Sequence, residues 1–286
     1  MYDPRFTPAR ADIAARYLEG EIAAERFVDG WAAQVTASSA PLRRTPSPEA
    51  GLETELLHGE PFHVYDEADG WAWGQAGIDD YVGFVPLACL AAAPALRAPS
   101  HRVSALRTFV YPEADLKRPV RLSLSLGAKL RVAEIEGRWA RLEEGGFVFA
   151  PHLVPARDRA ADFVAVAERF IGVPYLWGGR SSLGLDCSAL VQLSLEAAGY
   201  PAPRDSDVQE ADLGRELPIE GGALPALERG DLVFWKGHVA IMIDPVRIIH
   251  ANATHMAVSV NRLEEFARRV EPSTGPLTSV RRLALG

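Results

Sequence analysis

The chain has 286 residues, a hydrophobic content of 48% and a formal net charge of −8. This length favours two or three domains, and no apolar run approaches the ~20 residues of a membrane-spanning helix. The negative charge argues against nucleic acid or an anionic membrane surface as the partner. The two cysteines, Cys89 and Cys187, allow at most one disulfide bond. The N-terminus lacks the pattern of a signal peptide, from which we expect a cytoplasmic protein.

The first segment, residues 1–32, predicts one or two short helices. Gly20 separates two groups of apolar residues that recur at roughly helical spacing, namely Ile13, Tyr17, Leu18, Ile22 and Phe27. Polar residues lie between them, so one face of each helix would be apolar. We assign no chemistry to this segment.

Residues 33–95 and 100–155 resemble each other in sequence. Three residues of the first stretch recur 68 positions later: Gly59, Val64 and Trp71 are matched by Gly127, Val132 and Trp139. A Gly-Phe-Val triplet closes both stretches, at residues 83–85 and 146–148. Short alternating segments punctuated by glycine predict two small β-barrels, joined by a linker over residues 94–100.

The strongest chemical signal is a cysteine at the start of a predicted helix. A glycine-containing loop over residues 178–184 leads to Asp186, and apolar residues then follow at helical spacing up to Gly199. Asp186 is therefore the expected N-cap, and Cys187 opens the first turn. The positive end of the helix dipole favours a thiolate there, so we expect a reactive cysteine.

Two histidines follow on predicted strands. Residues 232–235, 238–243 and 246–251 predict an antiparallel sheet, which together with the cysteine helix predicts an α+β domain over residues 156–286. If the last two strands pair, the imidazoles of His238 and His250 approach each other. His238 would then act as the base for Cys187, and His250 would hold the other ring nitrogen of His238.

The same side chains could instead bind zinc, with His255 as a fourth ligand. Zinc sites commonly present two ligands from one element, as in C-x-x-C or H-E-x-x-H. Cys187, His238 and His250 lack such spacing. We therefore expect no metal ion and no other cofactor.

These motifs resemble the NlpC-type papain-like cysteine peptidases. The resemblance covers about the last 130 residues and rests on segments that follow the family's order, at residues 174–179, 186–190, 204–206, 230–235 and 238–240. With two barrels in front, the chain resembles the γ-D-glutamyl-L-diamino acid endopeptidases that trim murein peptides. The expected fold is multidomain: a short helical N-terminal segment, two small all-β SH3-like barrels and an α+β papain-like catalytic domain.

The resemblance implies a reaction and a set of substrate contacts. Cys187 would attack the γ-glutamyl carbonyl with His238 as base and His250 as orienting group. The other expected contacts are Tyr175 at the oxyanion, Asp186 and Ser188 at the free amine of an N-terminal L-Ala, Ser206 at the D-Glu portion, and Tyr81 closing the amine pocket. An acid of the first barrel would assist Tyr81, the candidates being Glu53, Glu55 and Glu60.

The resemblance thus implies hydrolysis of the γ-D-glutamyl-diaminopimelate bond of murein peptides, in cell-wall peptide recycling. A substrate without the alanine ammonium would leave Asp186 desolvated without a counter-charge. We therefore expect cleavage only of peptides with a free N-terminal L-Ala, and blocking that amine should cost at least ~3 kcal/mol in kcat/KM. Two alternatives stay open: a secreted hydrolase of intact peptidoglycan, and a non-catalytic protein whose barrels bind wall peptide. The diamino acid, the oligomeric state and the orientation of the barrels do not follow from the sequence.

Overall fold

A computed structural model describes residues 2–93, 97–219 and 224–284. Residues 94–96, which belong to the predicted linker and to the end of the predicted first barrel, lie outside the described residues. The chain divides into two compact units, Met1–Arg157 and Asp158–Gly286. Within the described ranges, none of the helices has the length and apolar character needed to cross a membrane.

The N-terminal segment differs from its prediction. In place of α-helices over residues 1–32 it forms two short parallel strands, β1 (Ala14–Ala15) and β2 (Phe27–Val28), and a 3-10 turn over Arg16–Leu18. The backbone N–H of Ala14 bonds to the carbonyl oxygen of Arg26, so the segment pairs with itself. Ile13, Ala14 and Ala15 are all fully buried. Burial of consecutive residues is incompatible with a single helical face, which the spacing alone could not reveal.

The first barrel is built from antiparallel strands in the order β5-β4-β8-β7-β6-β3-β9. These strands are β3 (Trp31–Val35), β4 (Ser39–Arg43), β5 (Leu52–Leu57), β6 (Pro61–Ala68), β7 (Trp71–Ala76), β8 (Val82–Pro86) and β9 (Leu90–Ala92). A 3-10 turn over Leu87–Cys89 precedes β9. Alternate residues such as Ala40 and Leu42, or Phe62 and Val64, point into one apolar core.

The second barrel has mostly shorter strands, which form a three-stranded and a five-stranded sheet. They are β10 (His101–Val103), β11 (Arg107–Tyr111), β12 (Leu122–Ser125), β13 (Lys129–Leu130), β14 (Val132–Glu136), β15 (Trp139–Leu142), β16 (Phe147–Phe149) and β17 (Leu153–Pro155). Trp71 and Trp139 open equivalent strands. Gly59 and Gly127 precede equivalent strands with φ of 80° and 92°, a conformation that favours glycine. The repeat in the sequence is therefore a repeat in the structure.

The second unit has the predicted α+β composition. Its elements are α1 (Phe163–Glu168), β18 (Arg180–Ser181), β19 (Gly184–Leu185), α2 (Cys187–Ala197), α3 (Ser206–Asp212), β20 (Arg215–Leu217), β21 (Leu232–Trp235), β22 (His238–Met242), β23 (Arg247–Asn252), β24 (Ala257–Arg262), α4 (Leu263–Thr274) and β25 (Ser279–Arg282). The sheet is antiparallel in the order β20-β25-β21-β22-β23-β24. The predicted fold class, barrels followed by an α+β domain, is confirmed.

The sheet positions the cysteine and histidine elements against each other. Helix α2 packs against β22 and β23, while α4 covers residues such as Trp235 and Met242 with Leu263 and Phe266. The loop before α2 is anchored by Arg180, whose guanidinium is fully buried and bonds to Glu196 on the last turn of that helix at 3.0 Å. The start of α2 is therefore held next to the first residues of β22.

Candidate active site

Cys187 lies at the point where α2 meets the sheet. Asp186 caps the helix as predicted, because its Oδ1 accepts the backbone N–H of Ala189 at 2.9 Å. The backbone N–H of Val239 lies close enough to the sulfur of Cys187 to lower the pKa of the thiol. Since Val239 directly follows His238, the thiol sits at the beginning of the strand that carries that histidine.

The two histidines on neighbouring strands are in direct contact. Strands β22 and β23 pair antiparallel, with Met242 opposite Ile248. His238 Nε2 lies 2.8 Å from His250 Nδ1, and His250 is fully buried. On its other side, His250 Nε2 lies 3.1 Å from Oδ1 of Asn261, a residue that the sequence had not singled out. The structure therefore brings together the predicted base and its predicted orienting group.

The ring of Phe266 packs against both imidazoles, of which His250 is fully buried and His238 half-buried. The ring of Phe266 lies 4.3 Å from that of His250 and 5.5 Å from that of His238, centre to centre. Burial lowers the pKa of His238 to about 3, with a smaller contribution from His250. Burial also lowers the pKa of His250 to about 4, although its bond to Asn261 acts in the opposite direction. Both rings are therefore neutral at neutral pH.

The surroundings of the thiol act against the thiolate that its position at the helix terminus favours. Burial raises the pKa of Cys187 to about 12, and the neighbouring Asp186 carboxylate acts in the same direction. The N–H of Val239 and the charge of Arg204 lower the pKa of Cys187, but by less. Withdrawal from water thus outweighs the helix terminus. A neutral thiol beside a neutral imidazole can transfer its proton as the sulfur attacks.

Tyr175 lies close to Cys187 and to the N-cap residue Asp186. Its backbone N–H bonds to the carbonyl oxygen of Met256 at 2.9 Å, and it bridges to Leu185 just before the catalytic helix. Burial raises the pKa of the Tyr175 hydroxyl above its usual value of 10, and the negative charge of Asp186 raises it further. The hydroxyl therefore keeps its proton. Its role at the oxyanion stays a prediction.

The carboxylate of Asp186 has a counter-charge that the sequence had not indicated. Arg204 is almost fully buried and binds it at both oxygens, with Nη1 2.9 Å from Oδ1 and Nη2 2.7 Å from Oδ2. The N–H groups of Gly178 and Ala189 and the hydroxyl of Ser188 also donate to it. A carboxylate offers about four acceptor positions. Asp186 therefore does not depend on a substrate ammonium for its counter-charge. The large loss in kcat/KM expected for a blocked amine rested on that dependence.

The remaining substrate-binding predictions in this unit concern Ser188 and Ser206. The Ser188 hydroxyl donates to Asp186 and accepts from Nη1 of Arg204 at 2.9 Å, so it is already engaged. Ser206 is half-buried and opens α3. Gln209 of α3 donates to the carbonyl oxygen of Ser188 at 2.9 Å, which ties α3 to α2. Contacts of Ser188 and Ser206 with substrate stay predictions.

In the first barrel, Tyr81 is more buried than its position near a turn suggested. Its side chain is 3% exposed and joins the barrel core, packed edge-on against Phe6. It also lines a cavity of about 410 Å³ together with Glu53. Glu55 accepts a bond from a serine hydroxyl, and the buried Glu60 caps a backbone N–H. Among the three candidate acids, Glu53 is the one that shares a cavity with Tyr81.

The zinc alternative gains no support from the geometry. In the part of the chain that the structure describes, no group of three or more His, Cys, Asp or Glu side chains is arranged to hold a metal ion. Nδ1 of His255, the fourth candidate ligand, lies 3.0 Å from Oδ1 of Asn252. His255 thus belongs to a hydrogen-bonded turn between β23 and β24.

Comparison with known families identifies the second unit. Residues 172–269, which include Cys187, His238 and His250, match the NlpC/P60 family. The second unit is thus similar to NlpC/P60 domains. Residues 42–90 match the family described as bacterial dipeptidyl-peptidase Sh3 domain. The predicted resemblance to NlpC-type cysteine peptidases with SH3-like barrels is confirmed.

Individual proteins are similar to part or most of the chain. The chain is 35% identical over 116 residues to dipeptidyl-peptidase 6 of Lysinibacillus sphaericus, a match that covers 41% of each chain. It is 32% identical over 130 residues to gamma-D-glutamyl-L-lysine dipeptidyl-peptidase of Bacillus subtilis, covering 42% of each. These matches span about two fifths of the curated relatives. A crystal structure of an NlpC/P60 family protein from Bacillus cereus superposes with a TM-score of 0.74 at 21% identity, over 89% of this chain and all of that one.

Sequence reasoning missed two residues of this NlpC/P60 site, Arg204 and Asn261. Arg204 was part of a recognised segment but had no role, because its partner Asp186 lies 18 positions away. The pattern of β24 held a usable signal. Ser259 and Asn261 alternate with Val258 and Val260, so two polar side chains share one face of a strand that packs beside His250.

Removing the Arg204 guanidinium tests how much its buried ion pair with Asp186 contributes to stability. We expect Arg204→Met to lower the free energy of unfolding by about 3–5 kcal/mol, because it leaves the Asp186 carboxylate buried without a counter-charge. Asp186→Asn in the same chain removes that charge and keeps a good N-cap, so the double variant should regain more than half of the loss. Urea unfolding measures both. A loss below about 1 kcal/mol in the single variant, typical of surface pairs, would contradict this account.

The buried imidazoles predict a dependence of stability on pH. Unfolded histidines take up protons below about pH 6.5, whereas folded His250 stays neutral down to about 4. The unfolded state then binds more protons, so stability falls as the pH drops through this window, by up to about 1.4 kcal/mol per pH unit for His250. In urea unfolding between about pH 7 and 5, His250→Phe should make the slope shallower. Ile248→Val should lower stability equally at each pH, and an unchanged slope in His250→Phe would argue against the prediction.

Proposed function

We propose that the chain is a cysteine peptidase that hydrolyses the bond between γ-D-glutamate and an L-diamino acid in murein peptides. One observation carries the proposal: helix α2, which opens with Cys187, packs against the strands of His238 and His250, and His238 Nε2 lies 2.8 Å from His250 Nδ1. Nucleophile, base and orienting group in that order are what acyl transfer from a peptide requires.

The reaction begins from neutral side chains. His250 engages Nε2 of His238, which leaves Nδ1 of His238 as the nitrogen available to the thiol. As the sulfur of Cys187 bonds to the γ-carbonyl carbon, its proton passes to that Nδ1 and the carbonyl oxygen becomes an oxyanion. The Tyr175 hydroxyl, which keeps its proton, donates to that oxygen. Oriented donors of this kind stabilise the charge that develops in the transition state.

The intermediate then collapses in the usual way for a thiol nucleophile. The C–N bond breaks, and the leaving amine takes the proton from His238. The resulting thioester on Cys187 is attacked by water, which gives one proton to His238 as the new C–O bond forms. Breaking the C–S bond returns that proton to the sulfur, so His238 serves as base and acid in turn.

The substrate class is supported by the relatives. Those from Bacillus subtilis and Bacillus cereus are named gamma-D-glutamyl-L-lysine dipeptidyl-peptidases. The description of the family that matches the first barrel also names a dipeptidyl-peptidase. A dipeptidyl-peptidase of this specificity releases L-Ala-D-Glu from a peptide whose alanine amine is free. Such peptides arise when murein is degraded, so we propose a role in cell-wall peptide recycling. We propose diaminopimelate and lysine as the diamino acids to compare.

Hydrolysis of a defined peptide tests this function. We expect the wild type to release L-Ala-D-Glu from L-Ala-γ-D-Glu-diaminopimelate or from its lysine counterpart, detected by mass spectrometry. Cys187→Ala removes the nucleophile and should abolish release, whereas Cys89→Ala, which removes the chain's other cysteine, should retain it. Binding of peptide without cleavage by the wild type would favour the non-catalytic alternative. Cleavage restricted to intact peptidoglycan would favour the wall hydrolase.

Acetylation of the alanine amine tests how the substrate is recognised. Because Arg204 already neutralises Asp186, we expect the loss of about one charged hydrogen bond, or ~1.5–3 kcal/mol in kcat/KM. That corresponds to roughly a 10- to 150-fold decrease. Peptides with free and acetylated alanine, compared at equal concentration, measure it. Equal turnover of the two would rule out recognition of the amine.

A further inference from the structure

The histidine pair continues into a chain of polar side chains on β23 and β24. His250 Nε2 lies 3.1 Å from Oδ1 of Asn261, and the Ser259 hydroxyl lies 3.1 Å from the same oxygen. Nδ2 of Asn252 lies 2.8 Å from the Ser259 hydroxyl oxygen. In the ladder of the two strands His250 faces Ser259, and alternate residues share that face. Five side chains, from His238 to Asn252, are therefore linked in one row.

At the Asn252 end of this row, contacts with the backbone fix the direction of the hydrogen bond between Asn252 and Ser259. Oδ1 of Asn252 accepts the backbone N–H of His255 at 2.9 Å, a group that can only donate. The other end of the same amide faces the carbonyl oxygens of His250 and Ala257, which can only accept. The amide of Asn252 therefore has one orientation, and its Nδ2 donates to the hydroxyl of Ser259.

The next hydrogen bond in the row, between the Ser259 hydroxyl and Asn261, also has a fixed direction. Two atoms lie within reach of the Ser259 hydroxyl proton: Oδ1 of Asn261 and, at 3.3 Å, Nδ1 of His255. Nδ1 of His255 also lies 3.0 Å from Oδ1 of Asn252, which has no proton to give. That nitrogen must itself carry a proton, so it cannot accept one. The hydroxyl of Ser259 therefore donates to Asn261, whose facing atom is the oxygen.

Oδ1 of Asn261 then determines which nitrogen of each imidazole carries the proton. Facing Oδ1 of Asn261, His250 carries its proton on Nε2, so its Nδ1 is a lone pair. That lone pair accepts the N–H of His238 Nε2 across 2.8 Å. A neutral imidazole has one N–H and one acceptor nitrogen. His238 is left with an unprotonated Nδ1, the form that can take a proton from Cys187.

We propose that Asn261, oriented by Ser259 and Asn252, is a positioning residue that sets the tautomer of His250 and, through it, of His238. The proposal rests on the proposed function only in giving His238 the role of base. If Asn261 presented its NH₂ group instead, His250 would carry its proton on Nδ1, and the pair would reverse. His238 would then hold its proton on Nδ1 and could not accept one from the thiol. Fixing one of the two tautomers is thus a requirement of the reaction.

The tautomers can be observed directly, without any substrate. Protein labelled with ¹⁵N in its histidines gives long-range ¹H–¹⁵N correlations that distinguish Nε2–H from Nδ1–H rings, and His238→Phe and His250→Phe assign the signals. We expect Nε2–H for His238 and for His250 in the wild type at neutral pH, and a proton on Nδ1 of His255. An Nδ1–H form of His238 in the wild type would overturn the proposal, whether or not the chain proves to be a peptidase.

Two substitutions of Asn261 separate the acceptor from the shape of the side chain. Asn261→Leu has a similar size and no acceptor, so we expect the histidine pair to populate both tautomers and kcat to fall roughly 10- to 100-fold with little change in KM, as for other residues that orient a reactive imidazole. Asn261→Asp keeps acceptor oxygens and should keep the Nε2–H form of His238, with kcat within about 10-fold of the wild type.

Ser259→Ala and Val260→Thr complete the set. Ser259→Ala removes the group that orients Asn261, so part of the histidine population should reverse even if Asn261→Leu does not fold. Val260 lies on the same strand but on its other face, and Val260→Thr should leave both tautomers and kcat unchanged. Unaltered tautomers in both Ser259→Ala and Asn261→Leu would overturn the proposal, and so would an Asn261→Asp variant as impaired as Asn261→Leu.

Discussion

The position of the thiol depends on the contacts made by one carboxylate, that of Asp186. It accepts the N–H of Gly178 from the loop before α2, the N–H of Ala189 from the first turn of α2, and the guanidinium of Arg204 from the segment that leads to α3. A single side chain thus joins three segments around Cys187. Because the pair with Arg204 is buried, each charge requires the other, and the surroundings of the sulfur form one cooperative unit.

The sheet contributes the complementary half of the site. Strands β22 and β23 bring His238 and His250 into contact, and Phe266 of α4 covers both rings. The same burial that keeps the imidazoles neutral also keeps Cys187 a thiol. Proton transfer between neutral groups requires a correctly placed lone pair on His238. The direction of the hydrogen bonds running from Asn252 to His238 therefore matters as much as the distances between the atoms.

Local sequence patterns predicted several features of this structure correctly. The cap at Asp186, the strands that carry His238 and His250 and the repeat of the two barrels follow from spacing and turn residues, and all are present. The N-terminal segment was harder, because spacing alone cannot distinguish a helical face from the consecutive burial of Ile13, Ala14 and Ala15. The role of Arg204 was not visible either, since an ion pair between residues 18 positions apart leaves no local pattern.

By itself, the sequence determined the repeat of the barrels, the helix that begins at Cys187 and the strands that carry His238 and His250, because turn chemistry, capping and apolar alternation act over a few neighbouring residues. Only the tertiary structure decided the state of those side chains. Whether Cys187 is a thiol or a thiolate depends on how much water reaches it, and the tautomer of His238 depends on a row of bonds that crosses two strands and a turn. Desolvation and hydrogen-bond direction are properties of the packed molecule, so they arise only when distant segments come together.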